Sequence, residues 1–180
     1  MKQRTTLVLI AIAMILAGAL SRLAFFPLNF SPVIAMALFG GAVIKDKKLA
    51  FALPLLAMFI SDILFELTNI APGFWGWGQL ISYSILALIT IFGFRLKKIS
   101  LFNVAGFSIA SSLIFFFLSN SSVWALSNNY YTPNFTGWVE CMAAGIPFLK
   151  NGLIADLVYS AVFFGGYILL EKYAFKKAVA

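Results

Sequence analysis

Long apolar runs separated by short basic clusters constrain this chain more than any other feature of its sequence. Of its 180 residues, 62% are hydrophobic and only 11% are charged, whereas roughly 25% of residues are charged in soluble proteins. A transmembrane helix needs about 20 consecutive, mostly apolar residues. Because the bilayer core offers no partner for open backbone groups, runs of this kind form helices. The sequence therefore predicts an all-α integral membrane protein.

Prolines, glycines and charges divide the chain into a single domain, residues 1–180, with six predicted spans. The predicted spans are about 5–26, 30–44, 49–67, 79–94, 101–118 and 152–170. A cleaved signal peptide at Ala17-Gly18-Ala19 is the alternative for the first span, and it is disfavoured because the apolar run continues through Phe26.

Two further segments lie between the last two spans. Residues 119–134 are predicted to be a polar connection, and residues 135–149 a separate segment along the external interface, since Gly145 and Pro147 interrupt it. Within the fifth span, the small hydroxylic face formed by Ser108, Ser111 and Ser112 favours close helix packing.

Basic residues predict the orientation. Eleven of the 13 lysines and arginines lie at the start, after the second span, after the fourth span and in the tail. By the positive-inside rule, both termini are then cytoplasmic. The four tryptophans, Trp75, Trp77, Trp124 and Trp138, all fall in external segments. The net charge of +7 is accordingly interpreted as a topology signal, and no nucleic acid is expected as a partner.

Charged side chains inside the spans indicate a site, since each costs roughly 2.5 to 3.5 kcal/mol to insert. Asp62 and Glu66, four residues apart, share one helix face. At about 1.5 Å of rise per residue, Arg22, Asp62 and Asp156 all lie roughly 6 to 9 Å below the outer ends of their helices. Amides and aromatic rings surround this level. The predicted ligand-binding residues are Arg22, Asn29, Asp62, Glu66, Trp75, Trp77, Gln79, Asn120, Trp124 and Asp156.

These residues leave three functions open. The favoured one is an outward-facing pocket that binds a small molecule. The alternative is a noncatalytic assembly or scaffold protein, in which Arg22 only neutralises Asp62 or Asp156. An intramembrane aspartyl hydrolase would use Asp62 and Asp156 as a dyad, but neither follows the Gly-x-Gly pattern of such enzymes. No catalytic residue, cofactor or metal is expected, because the chain has no histidine and a single cysteine, Cys141, whose role stays open.

Several short motifs are spread over the chain. They are Asn29-Phe30-Ser31-Pro32, Gly40-Gly41, Ser61-Asp62, Ser119-Asn120 through Val123-Trp124, and Ile146-Pro147-Phe148 with Asp156. Together they resemble a family of small bacterial membrane proteins that lacks an assigned function. The topology and the pair Ala13-x-x-x-Ala17 are also similar to the substrate-binding S component of energy-coupling-factor (ECF) vitamin transporters.

The second resemblance implies an S-component-like bundle in the bacterial inner membrane. It implies uptake of a small organic micronutrient, vitamin-like and of the planar heteroaromatic kind. It also implies that Ala13 and Ala17 contact an energising coupling subunit. ATPases would be further partners, since the chain itself has no nucleotide-binding loop.

Overall fold

The computed structural model describes residues 2–24, 29–126 and 130–176, and this part of the chain is helical, with short connections. Its helices are α1 (Lys2–Ala24), α2 (Val33–Val43), α3 (Lys47–Thr68), α4 (Trp77–Gly93), α5 (Leu101–Leu126) and α6 (Phe135–Lys176). Four of them, α1, α3, α5 and α6, are long and apolar enough to cross a membrane. The all-α fold is confirmed, with the four apolar helices expected of a membrane protein. Phe26, the predicted end of the first span, lies outside the described residues.

Helix α2 forms the centre of the bundle. It packs against each of the other helices, and residues 34–41 are all buried. A Cβ on Gly41 would fall on the carbonyl oxygen of Thr90, and one on Gly93 would lie 2.6 Å from the carbonyl oxygen of Leu38. Only glycine lets the backbones of α2 and α4 approach this closely. The apolar run of the predicted second span is thus the core of the protein.

Contacts between helices show that successive helices alternate in direction. Along α5 and α6, Ser108 meets Ser160 and Ser112 meets Asp156, so these two helices are antiparallel. Arg22, near the end of α1, meets Asp62, near the end of α3, so α1 and α3 run the same way. The bundle therefore has a polar end, formed by the connections 29–32, 69–76 and 130–134. The opposite, basic end is formed by the connections 44–46 and 94–100.

Helices α5 and α6 are both longer than the sequence predicts. Helix α5 continues to Leu126 through the predicted polar connection, and α6 is one 42-residue helix. The prediction of a separate interfacial segment at 135–149 is wrong, because Pro147 lies inside α6. A Cβ on Gly145 would lie 2.6 Å from Asn120 Oδ1, so α6 packs tightly on α5 at this point. Such packing offsets the local cost of glycine and proline in a helix.

Candidate functional site

The structure divides the predicted ligand-binding residues among three places near the polar end. Arg22, Asp62, Glu66 and Gln79 lie where α1, α3 and α4 meet. Asn29, Asn120 and Asp156 line a cavity between α2, α5 and α6. Trp75 and Trp77 line an open aromatic pocket, while Trp124 fastens the connection between α5 and α6.

A buried ion pair forms the first group, which we name the Arg22 cluster: Arg22, Ser61, Asp62, Gln79 and Tyr83. Arg22 Nη1 lies 2.8 Å from Asp62 Oδ1 and also contacts the Ser61 hydroxyl. The other carboxylate oxygen accepts hydrogen bonds from Gln79 Nε2 at 2.9 Å and from the Tyr83 hydroxyl at 2.6 Å. Asp62 is fully buried: Oδ2 accepts these two hydrogen bonds, whereas Oδ1 has the ion-pair contact with Arg22 and accepts no hydrogen bond from the described residues. The pair therefore meets the condition under which a buried charge is tolerated.

The Arg22 cluster also holds the connection between α3 and α4. Gln79 Nε2 donates to the Gly73 carbonyl at 3.0 Å, and the Gly73 amide donates to Glu66 Oε2 at 3.1 Å. A Cβ on Gly73 would fall on the Asp62 carbonyl oxygen. Arg22, Asp62 and Gln79 thus bind one another, and Gln79 and Glu66 bind the 69–76 connection, which is what a structural role requires.

The second group lines a cavity of about 260 Å³, which we name the Asp156 pocket. Its polar lining residues come from the connection before α2, from α5 and from α6. They are Asn29, Ser31, Ser112, Ser119, Asn120 and Asp156. Three phenylalanines, Phe115, Phe116 and Phe148, contribute apolar walls. Asn29 reaches this position through a left-handed backbone, with φ of 62°, which asparagine tolerates better than most residues.

Asp156 is the acidic residue of this pocket and is only 1% exposed. Ser112 Oγ donates a hydrogen bond to its Oδ2 at 2.6 Å. Within the described residues, no lysine or arginine lies within ion-pair distance of Asp156. The Ser31 hydroxyl is buried in the same lining and has no hydrogen-bond partner among them. Asp156 and Ser31 thus leave hydrogen-bonding capacity facing the cavity.

Sequence reasoning missed Ser31, Ser112 and the phenylalanine walls. Ser112 was interpreted as a packing residue, and for Ser108, four residues away, that interpretation fits its contact with Ser160. The available signal was helical spacing: Ser112 and Asp156 each lie one turn from a member of the Ser108–Ser160 contact. That register becomes visible only once α5 and α6 are known to be antiparallel partners.

The third group is an open pocket at the same end, with a volume of about 840 Å³. Trp75, Trp77, Tyr130 and Tyr131 contribute its aromatic surface. Trp77 is 77% exposed and Tyr130 is 90% exposed, so neither ring is held in place by packing. Trp124 instead donates from Nε1 to the Thr132 carbonyl at 3.0 Å, which fastens the residues after α5.

The comparison with protein families settles membership. Residues 2–178 match the family of unknown function DUF6580. The chain belongs to DUF6580. Comparisons with curated proteins and with solved structures give no match. Because the DUF6580 description carries no activity, function must be argued from the geometry of this chain.

In this DUF6580 protein, the two buried aspartates have separate surroundings. Asp62 binds Arg22, Gln79 and Tyr83, whereas Asp156 binds Ser112. In a catalytic dyad, two carboxyl groups share one proton. Among the described residues, Asp62 and Asp156 have no hydrogen-bond partner in common, so the arrangement does not resemble a dyad.

The remaining predicted positions lie away from the cavity. Ala13 and Ala17 are both on an exposed face of α1, which is free of the other described helices. Cys141 is 2% exposed, and its Sγ donates to the Asn120 carbonyl at 3.3 Å, at the contact of α5 with α6. Its position is that of a packing residue. The described part of this DUF6580 chain contains no cluster of histidine, cysteine and acidic residues that could hold a metal ion.

Proposed function

We propose that this protein is a membrane-embedded binding protein for a small organic micronutrient, which it holds in the Asp156 pocket for uptake. The observation that carries the proposal is the buried carboxyl group of Asp156, which faces a cavity of about 260 Å³ and has no lysine or arginine of the described residues within ion-pair distance. Protein interiors are close-packed, and buried charges are paired or hydrogen-bonded. A cavity that combines a buried carboxyl group with the Ser31 hydroxyl, which is unpaired among the described residues, is better explained by a ligand than by packing.

The position of the pocket fits uptake from outside. Its lining residues lie toward the polar end, where the aromatic pocket of Trp75 and Trp77 also opens. The exposed basic residues of the connections, among them Lys45 and Lys98, lie at the opposite end. By the positive-inside rule the polar end faces outward. The full proposal has six crossings and both termini in the cytoplasm.

Energy for uptake would come from partners. The chain has no nucleotide-binding loop, so ATP hydrolysis requires other subunits, as in the ECF transporters whose S component it resembles. Ala13 and Ala17 lie on an exposed face of α1, where their small side chains allow a second helix to approach closely. We assign this face to a coupling subunit as part of the same proposal.

A noncatalytic scaffold is the second candidate, and a separate observation favours it. In the Arg22 cluster the two charges pair with each other and Gln79 binds the 69–76 connection, as a purely structural set of charges would. The scaffold explanation accounts for the hydrogen bond of Asp156 with Ser112, which joins α5 and α6, but it gives no role to the cavity beside that carboxyl group. The two candidates therefore differ at the Asp156 pocket.

The test is mass spectrometry of small molecules that co-purify with the protein in mild detergent. Gly152 lines the pocket, and a Cβ there would meet only the Asn29 carbonyl oxygen at 3.7 Å, an ordinary contact. Gly152→Ala should therefore retain the molecule found with wild type, while Gly152→Leu should fill the cavity and lose it. A molecule retained by all three proteins binds elsewhere, and finding none in any of them favours the scaffold.

A further inference from the structure

The lining of the Asp156 pocket restricts what a ligand can be, and this step rests on the proposed function. Asp156 is 1% exposed, and the ion pair that the described residues contain uses Arg22 for Asp62. Arg22 is therefore not available to Asp156. No lysine or arginine is among the described lining residues. A positively charged ligand group beside Asp156 would offset the cost of burying its carboxylate.

The hydrogen-bond pattern specifies donors. Ser112 donates to Asp156 Oδ2, and Oδ1 accepts no hydrogen bond from the described residues. The Ser31 hydroxyl in the same lining has no partner among them. A ligand group that carries several N–H donors would satisfy both Asp156 Oδ1 and the Ser31 hydroxyl oxygen. A ligand carboxylate or phosphate would instead be repelled by Asp156, with no basic residue of the described lining to offset the repulsion.

The walls specify the rest of the ligand. The volume of about 260 Å³ lies just below the range of roughly 300 to 1,000 Å³ that is typical of ligand pockets, which favours a small ligand. Phe115, Phe116 and Phe148 present aromatic and apolar surface to this space. Aromatic faces attract organic cations as well as apolar groups. A bare metal ion would leave most of the cavity and all of these walls unused.

From this arrangement we infer that the Asp156 pocket binds a compact organic amine. Its protonated nitrogen faces Asp156 and Ser31, and its apolar or ring-shaped body lies against Phe115, Phe116 and Phe148. Asp156 selects the charge, and the phenylalanines select the shape.

Benzylamine and benzyl alcohol are suitable probes, because they have the same size and ring and differ in charge. Binding of each to the purified full-length protein is measured in detergent by ligand-observed NMR titration. Wild type should bind benzylamine at least tenfold more tightly than benzyl alcohol. Asp156→Asn should reduce that ratio to near one, and Gly152→Leu should abolish binding of both probes. Glu140→Gln, which removes an exposed carboxylate of the same helix, should leave the ratio unchanged.

Several results would overturn the inference. Equal affinity of wild type for both probes, an unchanged ratio in Asp156→Asn, or displacement of benzylamine by sodium ions alone would each do so. A different result would contradict the proposed function: no small molecule co-purifies with wild type and Gly152→Ala and is lost in Gly152→Leu. Wild type that retains such a molecule but does not bind benzylamine contradicts the amine assignment only.

Discussion

Asp62 and Asp156 look alike in the sequence, yet their surroundings differ completely. Both are aspartates in apolar helices, and either is a plausible partner for Arg22. Their depth is predictable, since it follows from the rise per residue. Which aspartate pairs with Arg22 is not predictable from the sequence, because it depends on how the helices pack against one another. Helix α1 packs on both α3 and α6, and Arg22 lies on the side of α1 that meets α3, where it binds Asp62, while Asp156 lines the cavity.

At the residue scale, a double-mutant cycle tests the structural role of the ion pair. Asp62→Asn and Arg22→Gln should each lower the free energy of unfolding by about 3 to 5 kcal/mol, since each strands a buried charge. The double variant should recover much of that loss, because neither charge remains. Unfolding in detergent measures all four proteins.

The same cycle should leave the Asp156 pocket functional. Arg22 and Asp62 are not among its lining residues, so the folded double variant should retain the co-purified molecule. Strictly additive losses of stability, or loss of the molecule without loss of stability, would return these residues to the binding site.

At the element scale, helix existence could be predicted from the sequence and helix ends could not. The apolar runs correspond to helices, but Gly145 and Pro147 do not end α6, and Ser119 and Asn120 lie within α5. Local propensity favours a break at these residues. Packing of α6 on α5 outweighs that preference, and it is a tertiary effect that a local pattern does not contain.

The crossing of α2 and α4 gives the next prediction. Gly41→Ala should destabilise the protein by about 1 to 3 kcal/mol, because the added methyl group meets the Thr90 carbonyl and forces the helices apart. Gly106→Ala is the matched control, since a Cβ on that exposed helical glycine has nothing within 4 Å. The free energy of unfolding of this control should be unchanged or higher by up to about 1 kcal/mol. Equal melting temperatures for the two variants would argue against close contact of α2 with α4.

The contact of α6 with α5 gives a third prediction, which links packing to binding. A Cβ on Gly145 would meet Asn120 Oδ1 and, at 2.8 Å, the Phe116 ring, and both residues line the Asp156 pocket. Gly145→Ala should therefore reduce the amount of co-purified molecule as well as the melting temperature. Gly165→Ala, on the same helix and with nothing within 4 Å of its Cβ, should change neither. Normal ligand content in Gly145→Ala would show that the pocket does not depend on this contact.

At the scale of the whole molecule, helix length and chain direction favour different numbers of crossings. By length, α2 with 11 residues spans about 17 Å and α4 with 17 residues about 26 Å, against a hydrocarbon core of about 30 Å. Four crossings would follow from length alone. Four crossings would also make α1 and α3 antiparallel, yet the contact of Arg22 with Asp62 lies near the end of both helices. This contact favours a path in which α2 returns the chain to the basic end.

Burial explains how a helix as short as α2 can do so. Residues 34–41 are enclosed by the other helices, and backbone that is buried in protein need not be helical across the whole bilayer. The connection 29–32 and α2 together then carry the chain through the protein. We accordingly expect six crossings, with basic residues inside at every turn.

Reporter fusions decide between the two counts. Fusions after Lys48 and Lys98 should report the cytoplasm, and insertions at Gly73 and Tyr131 should report the exterior. With four crossings, Lys98 and Tyr131 would keep these positions, whereas Lys48 would be external and Gly73 cytoplasmic. Lys48 and Gly73 are therefore the informative sites. Reversed signals at these two positions would place Asp62 and Asp156 near opposite surfaces, and a single outward-facing polar end could not then exist.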